Sequence, residues 1–299
     1  VLKVFAPATS ANLNVGFDSL GVALAPIKGE PIGDIFGIEE AAIDSLDVFG
    51  AYAHELKGTN IVEKALWRFR ELTAIKTPVA MHLEKGMPIG SGIGSSAASV
   101  VAAVMGINRY FGSPLDAEEE KSLMAELEGE LSGGVHWDNL LPCLLGGLCL
   151  HDAKLPVPEE WVWLLAYPGI RLETKAMRAI LPKAIPLSDA TAQASRLGRF
   201  VDALYRSDPQ LAAALMFDPI VEPHRAPLVP GFGPLKDQLI NKGALSCGLS
   251  GSGPTMFAVF DNMASAKAAL TEAQHWVAPN QGFAHLCRVD ELGARFLES

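Results

Sequence analysis

The chain has 299 residues, 49% of them hydrophobic and 19% charged, enough to bury a sizeable core and better suited to two modest domains than to one. Its net charge is −10 and it has no run of Lys or Arg, which argues against nucleic acid or an anionic membrane as main partner. No apolar run of about eighteen residues occurs, and Val1–Ala6 reads as a strand rather than a secretion signal.

In chain order, Leu2–Ala6 alternates as a first strand, which Pro7 is expected to end. The polar stretch from Ala8 to Asp18 follows, with amides, hydroxyls and one carboxylate. It reads as a turn with Asx and Ser caps, or as a holder for a small polar substrate through Asn12 and Asp18. Gly33–Ile38 reads as a strand. Asn60–Leu72 reads as an amphipathic helix with Asn60 as N-cap and an inward stripe of Ile61, Ala65, Phe69 and Leu72. Pro78–Leu83 alternates as a half-buried strand, and Ser95–Tyr110 reads as a buried helix stopped by Gly112-Ser113-Pro114. Asp116–Leu131 is helical again, with Leu123, Leu127 and Leu131 inward and Glu126, Glu128 and Glu130 on its last turns. Ser132–Asn139 reads as a loop carrying His136, Asp138 and Asn139.

The texture changes near Asp152. Lys154–Glu160 looks like a surface link, so domains of residues 1–154 and 155–299 are expected. Trp161–Ala166 reads as a buried strand, Thr174–Arg178 as a short helix with Thr174 as cap, and Thr191–Tyr205 and Gln210–Phe217 as amphipathic helices. A Pro-rich loop from Asp218 to Gly233 holds Glu222, His224 and Arg225. A second glycine loop, Gly248–Pro254, runs into the strand Thr255–Phe260 and then an Ala-rich helix from about Ser265. Cys143, Cys149, Cys247 and Cys287 lack Cys-x-x-Cys spacing and sit among apolar residues. Buried free thiols in a reducing cytoplasm are expected, rather than disulfides or zinc.

The most informative stretch lies between the strand at Leu83 and the helix at Ser95. Pro88-Ile89-Gly90-Ser91-Gly92-Ile93-Gly94-Ser95-Ser96-Ala97-Ala98 joins a glycine loop to a helix start. Glycine lets the backbone approach a ligand closely, and a helix N-terminus adds unpaired N–H donors and partial positive charge, which together suit phosphate. It is not a Walker loop, because no Lys follows Gly94. It nearly meets the dinucleotide fingerprint as Gly92-x-Gly94-x-x-Ala97 with Asp116 downstream, and it could also be a plain turn before a closely packed helix. The hydroxyls of Ser95 and Ser96 favour phosphate or a phosphate-bound Mg²⁺.

Three stretches in this order resemble the GHMP small-molecule kinases: Ala6-Pro7-Ala8-Thr9-Ser10-Ala11-Asn12, Pro88–Ala98 and Gly248–Pro254. The resemblance spans nearly the whole chain. It narrows to the homoserine kinase family, in its bacterial, enteric-type branch, through Ser10–Asp18, Ser132–Asn139 with Pro142, Ala179-Ile180-Leu181-Pro182 and Glu222-Pro223-His224-Arg225. Asn14 stands where many members carry glycine or serine.

The resemblance implies an α+β fold of two domains, the first like ribosomal protein S5 domain 2 and the second ferredoxin-like. It implies phosphorylation of L-homoserine by ATP with Mg²⁺, in the cytoplasm, by a homodimer. A kinase for another alcohol, such as mevalonate, is the alternative. Carried over by position, Pro88–Ala98 and Asn60 match nucleotide-binding positions, and Ser96 and Glu128 match the metal ligands. Asn12, Asp18, His136, Asn139, Arg178 and Arg225 match positions around the substrate. Asn139, Thr174 and Arg178 match catalytic positions, with Asp138 as the one carboxylate placed to act as base. A base-free transfer, with the proton passing to the phosphate itself, is the other mechanism the family suggests.

Overall fold

The computed structural model describes residues 1–132 and 134–298; of Leu131 and Ser132 it describes the backbone alone. Gly133, in the expected central loop, and the inward side chain expected of Leu131 therefore lie outside the described residues.

The strands are β1 (Leu2–Ala11), β2 (Leu20–Pro26), β3 (Gly33–Glu40), β4 (Ser45–Phe49), β5 (Val79–Glu84), β6 (Leu148–Leu150), β7 (Ala153–Leu155), β8 (Val162–Tyr167), β9 (Ser246–Leu249), β10 (Met256–Phe260), β11 (Phe283–Val289) and β12 (Arg295–Leu297). The helices are α1 (Ile61–Thr73), α2 (Ser95–Tyr110), α3 (Ala117–Ser132), α4 (Trp137–Leu145), α5 (Thr174–Ala179), α6 (Leu187–Tyr205), α7 (Pro209–Leu215), α8 (Glu222–Arg225), α9 (Phe232–Asn241) and α10 (Met263–Val277). The main sheet path runs β4-β5-β3-β1-β2-β11-β8-β10-β9.

Strand β1 organises this path, and it does not stop at Pro7. Its first half pairs with β3 up to Pro7 opposite Gly33, and its second half pairs with β2 from Ala8 to Ala11. Proline has no N–H to offer a ladder, and here it stands where one pairing hands over to the other. The freed edge beyond it meets the glycine loop, because the Thr9 N–H donates to the Ile93 carbonyl at 3.0 Å.

One core lies under α1, α2 and α3, where the period-two face of β5 (Val79, Met81, Leu83) meets Phe36, Phe69 and the apolar side of α2. Two further cores flank β8, one around Trp161 and Trp163, the other around Phe260 and α10. Leu72 departs from its expected stripe and is exposed, because α1 turns its last residues to solvent. Asn60 caps α1 in a full capping box with Glu63. Thr174 is the first helical residue of α5 and makes no cap; Glu173 holds that position. The expected Pro-rich loop contains α8 and is followed by α9, while α6 begins earlier than expected, at Leu187. All four cysteines are free and buried. Among the described residues no helix is long and apolar enough to cross a membrane.

Candidate active site

The glycine loop turns by left-handed backbone at Gly90, Gly92 and Gly94. At Gly92 both conformation and space demand glycine: φ is +84°, and a Cβ would meet the Ser250 carbonyl oxygen at 2.5 Å. That carbonyl belongs to the second glycine loop, and the contact is reciprocal. The Ser250 hydroxyl donates to the Gly92 carbonyl at 2.7 Å, and the hydroxyl and N–H of Thr255 donate to the Ser91 carbonyl at 2.7 and 3.1 Å. These bonds take up the Ser91 and Gly92 carbonyls, and Leu172, Thr9 and Ala98 take those of Gly90, Ile93 and Gly94, which leaves donors as the chemistry this stretch can offer a ligand. Glu55 pins the start of the loop by accepting the Ile89 N–H at 2.7 Å.

The loop forms one wall of a cavity of about 510 Å³. Beside the loop stands α3, whose Glu128 also lines the cavity, is 4% exposed and accepts a hydrogen bond from the Ser96 hydroxyl at 2.6 Å. A hydroxyl and a carboxylate side by side on the cavity wall are hard oxygen donors of the kind Mg²⁺ takes, so this pair fits that ion.

The other end of the cavity is built from side chains. Asp18, in left-handed backbone, accepts from Arg178 at 2.7 Å. Two guanidiniums lie over the Phe17 ring, Arg178 at 5.7 Å and Arg225 at 5.5 Å from its centroid. Arg225 is 3% exposed and donates to the carbonyls of Gly251 and Met177 at 3.0 and 3.3 Å. Asn12 uses both ends of its amide on the backbone, donating to the Gly251 carbonyl at 2.9 Å and accepting the Asp18 N–H at 2.8 Å. It positions Asp18 and the second loop.

His136, Asp138 and Asn139 do not share a loop as expected. Helix α4 starts at Trp137, so His136 is its N-cap and the other two sit in its first turn. Pro142 lies inside that helix and cannot donate to the carbonyl one turn back. Strand β2 packs onto that carbonyl through Gly21, where a Cβ would collide with the Asp138 oxygen. Asp138 is thereby held deep in the wall. Its side chain is 3% exposed, and Oδ1 has no hydrogen-bond partner. Burial, and then the nearby Asp18 charge, push its carboxyl up to about 7. Burial, and then the Arg178 charge, push the His136 imidazole down; its Nε2 is also unpartnered and its Nδ1 lies 3.4 Å from Arg178. Asn139 accepts from the Thr9 hydroxyl at 2.8 Å, and Thr174 lies 3.4 Å from the Ser252 hydroxyl.

Of the residues expected to bind nucleotide, metal or substrate, Pro88, Ile93 and Ala98 are buried and do not line the cavity; the rest line it. Sequence reasoning has Thr9 and Phe17 inside its family stretches but gives them no role in the site. It misses Lys85 and Asp34, a buried ion pair beneath the loop. A signal for that pair exists: in β3, Asp34 shares its face with Phe36 and Ile38, so a carboxylate is bound for the interior and needs a cation.

Residues 60–147 match the family described as GHMP kinases N terminal domain, and residues 200–278 match GHMP kinases C terminal. A homoserine kinase from Cytophaga hutchinsonii is 34% identical in sequence; the match covers 99% of this chain and 97% of that one, with a TM-score of 0.88. The chain belongs to the GHMP kinase family. A putative homoserine kinase from Listeria monocytogenes is 26% identical over the full length of both chains, with a TM-score of 0.74. A mevalonate kinase from L. major, at 14% identity, 96% coverage of both chains and a TM-score of 0.71, shares the fold. This GHMP kinase thus has the expected two-domain α+β fold and acts as a small-molecule kinase. The dinucleotide fingerprint has no counterpart in the structure. Asp116, its acidic member, caps the surface helix α3 by accepting the N–H groups of Glu118 and Glu119, both at 2.9 Å.

Proposed function

We propose that this kinase phosphorylates the hydroxyl of L-homoserine with ATP. The observation that carries the reading is the charge balance at the side-chain end of the cavity. Two carboxylates, Asp18 and Asp138, face two guanidiniums, Arg178 and Arg225, with Asp18 and Arg178 already paired at 2.7 Å. A zwitterionic amino acid can exchange that pair for two, its ammonium going to the carboxylates and its carboxylate to the guanidiniums. A monoanionic alcohol such as mevalonate would occupy the guanidiniums and leave the buried Asp138 carboxylate without a cation, which is costly; the Asp18 carboxylate beside it is open to solvent. The homoserine kinase from Cytophaga hutchinsonii among the similar structures supports the same choice.

In this reading the donors of Gly90–Ser96 hold the phosphates of ATP, with Asn60 at the nucleoside end, and Ser96 and Glu128 hold Mg²⁺. When bound, that ion offsets charge on the phosphate oxygens. Asn139, fixed by Thr9, and Thr174 border the place where the substrate hydroxyl meets the last phosphate. Phosphoryl transfer of this kind is mainly positioning and charge neutralisation. We assign no protein base: the homoserine oxygen bonds to the γ-phosphorus, the bond to the β-bridging oxygen breaks, and the hydroxyl proton passes to a transferred phosphate oxygen. Asp138 serves the ammonium. The two domains meet around this cavity, with the boundary placed near Leu155.

The test is a coupled ADP-release assay across L-homoserine, mevalonate, galactose and shikimate, with and without Mg²⁺. Turnover with homoserine at least about 100-fold above the others is expected, matching the cost of unpaired buried charge. Preference for mevalonate or a sugar would end the reading.

A further inference from the structure

Beneath the glycine loop lies a lysine that takes no part in the scheme above. Lys85 follows β5, directly before the loop, and its side chain is 2% exposed. It is ion-paired with Asp34, which is wholly buried. Its ammonium also donates to the Ser95 carbonyl at 2.8 Å and the Ser99 hydroxyl at 3.0 Å. An ammonium has three protons, so every one is used. The Asp34 carboxylate is equally occupied: it accepts from Ser99 at 2.6 Å and from the Gly86 N–H at 3.1 Å.

Two features set this cluster apart from an ordinary internal ion pair. First, a cation at the first turn of a helix opposes the helix dipole, and a buried pair is in general no more stabilising than well-packed apolar residues. Stability of the fold does not account for it. Second, the pair is oriented. Lys85, Ser95 and Ser99 are among the residues lining the active-site cavity and Asp34 is not, so the lysine lies on the cavity side of the pair and the carboxylate lies behind it in β3. The loop has no lysine of its own between Gly86 and Ser99.

We infer that Lys85 is a positioning residue of the phosphate site: it clamps the first turn of α2 behind the loop and turns the positive end of its pair toward the phosphates. Its three bonds join β3, β5 and α2, the elements whose meeting point is the start of that helix. A polyanion arriving there meets the helix N-terminus and, one layer down, a cation whose counter-charge faces away. In a medium of low dielectric that orientation matters more than it would in water.

The inference rests on the phosphates lying at Gly90–Ser96, and the experiment separates the two ideas. Dissociation constants for adenosine, AMP, ADP and a non-hydrolysable ATP analogue are measured by calorimetry on the wild-type protein and on Lys85→Met. They are also measured on the double variant Lys85→Gln with Asp34→Asn, which keeps hydrogen-bonding groups in place and removes both charges. Wild-type affinity should climb with phosphate number; if it does not, the nucleotide reading itself fails. With that climb established, both variants should flatten it, losing at least tenfold for the ATP analogue and less than twofold for adenosine. Should Lys85→Met not fold, the neutral double variant decides alone. Equal losses for adenosine and the ATP analogue, or no loss at all, would show the pair to be structural only and overturn the inference.

Discussion

The two ends of the cavity are made differently. The phosphate end is backbone: glycines in left-handed conformation, a helix start, and a second loop that absorbs the carbonyls. The opposite end, where we place the amino acid, is side chains, brought from β1–β2, α4, α5 and α8. Backbone recognition needs one contiguous segment whose conformation is set locally. Side-chain recognition needs distant segments whose meeting is decided by the whole fold. The difference has consequences for how each end fails.

The largest effect is expected at the backbone end. Gly92→Ala forces a Cβ against the Ser250 carbonyl, and neither partner is a flexible side chain. The loop must shift, and a displacement near 1 Å in a site of this kind costs about 100-fold or more in rate. ADP affinity should fall with it, while homoserine affinity, measured by calorimetry without nucleotide, should change little. If both affinities fell together, the ends would not be independent.

Next in size is the side-chain end. Arg178→Met removes a guanidinium that pairs with Asp18 and stacks on Phe17. A charge-assisted hydrogen bond contributes about 1.5–3 kcal/mol, so kcat/KM for homoserine should drop about 10- to 150-fold, with ADP affinity unchanged. Arg178→Lys should recover only part of this, because an ammonium lacks the planar fork. Full recovery by lysine would mean that charge alone is being read.

The same contrast explains how much of the molecule is legible in its sequence. The loop, α2, β5 and the Asn60 cap follow from local rules, namely glycine punctuation, apolar periodicity and capping chemistry, and the structure has them at those places. The side-chain end has no local signature. Asp18 and Arg178 are 160 positions apart, and only family likeness places them together. Local rules also err in definite ways. Pro7 reads as a stop, but it stands at the handover between two pairings of one strand. His136–Asn139 reads as loop because Gly133-Gly134 and Pro142 look like breakers, yet a helix starts at Trp137 and accommodates Pro142 by packing its freed carbonyl against Gly21.

A smaller effect, and a sharper one, comes from pH. Burial and Asp18 raise the Asp138 carboxyl to about 7; Arg178 opposes this and Glu128 adds to it. An ammonium ligand needs the ionised form, so below pH 7 homoserine must displace a proton to bind. KM for homoserine should therefore rise about tenfold per pH unit on the acid side. Asp138→Asn mimics the protonated carboxyl. Its KM should be flat with pH and well above the wild-type value at pH 8, with kcat at saturating homoserine only modestly lower. A collapse of the single-turnover rate with both substrates bound would instead make Asp138 a base.

The same carboxyl links function to stability, and there the substitution should help. Folded, it holds a proton up to about pH 7; unfolded, it would release that proton near pH 4. The native state therefore binds the extra proton across that window, and stability from this group falls as pH rises through it. At pH 8 the wild-type fold carries a buried, ionised carboxylate whose Oδ1 has no partner and whose neighbour Asp18 repels it. Asp138→Asn removes that charge, so its unfolding midpoint should exceed the wild-type value at pH 8 and approach it at pH 5. Homoserine should narrow the gap at pH 8 by giving the wild-type carboxylate its cation. A variant less stable than wild type at pH 8 would mean that the charge is already compensated by the fold, and the site would lose its reason to prefer an ammonium.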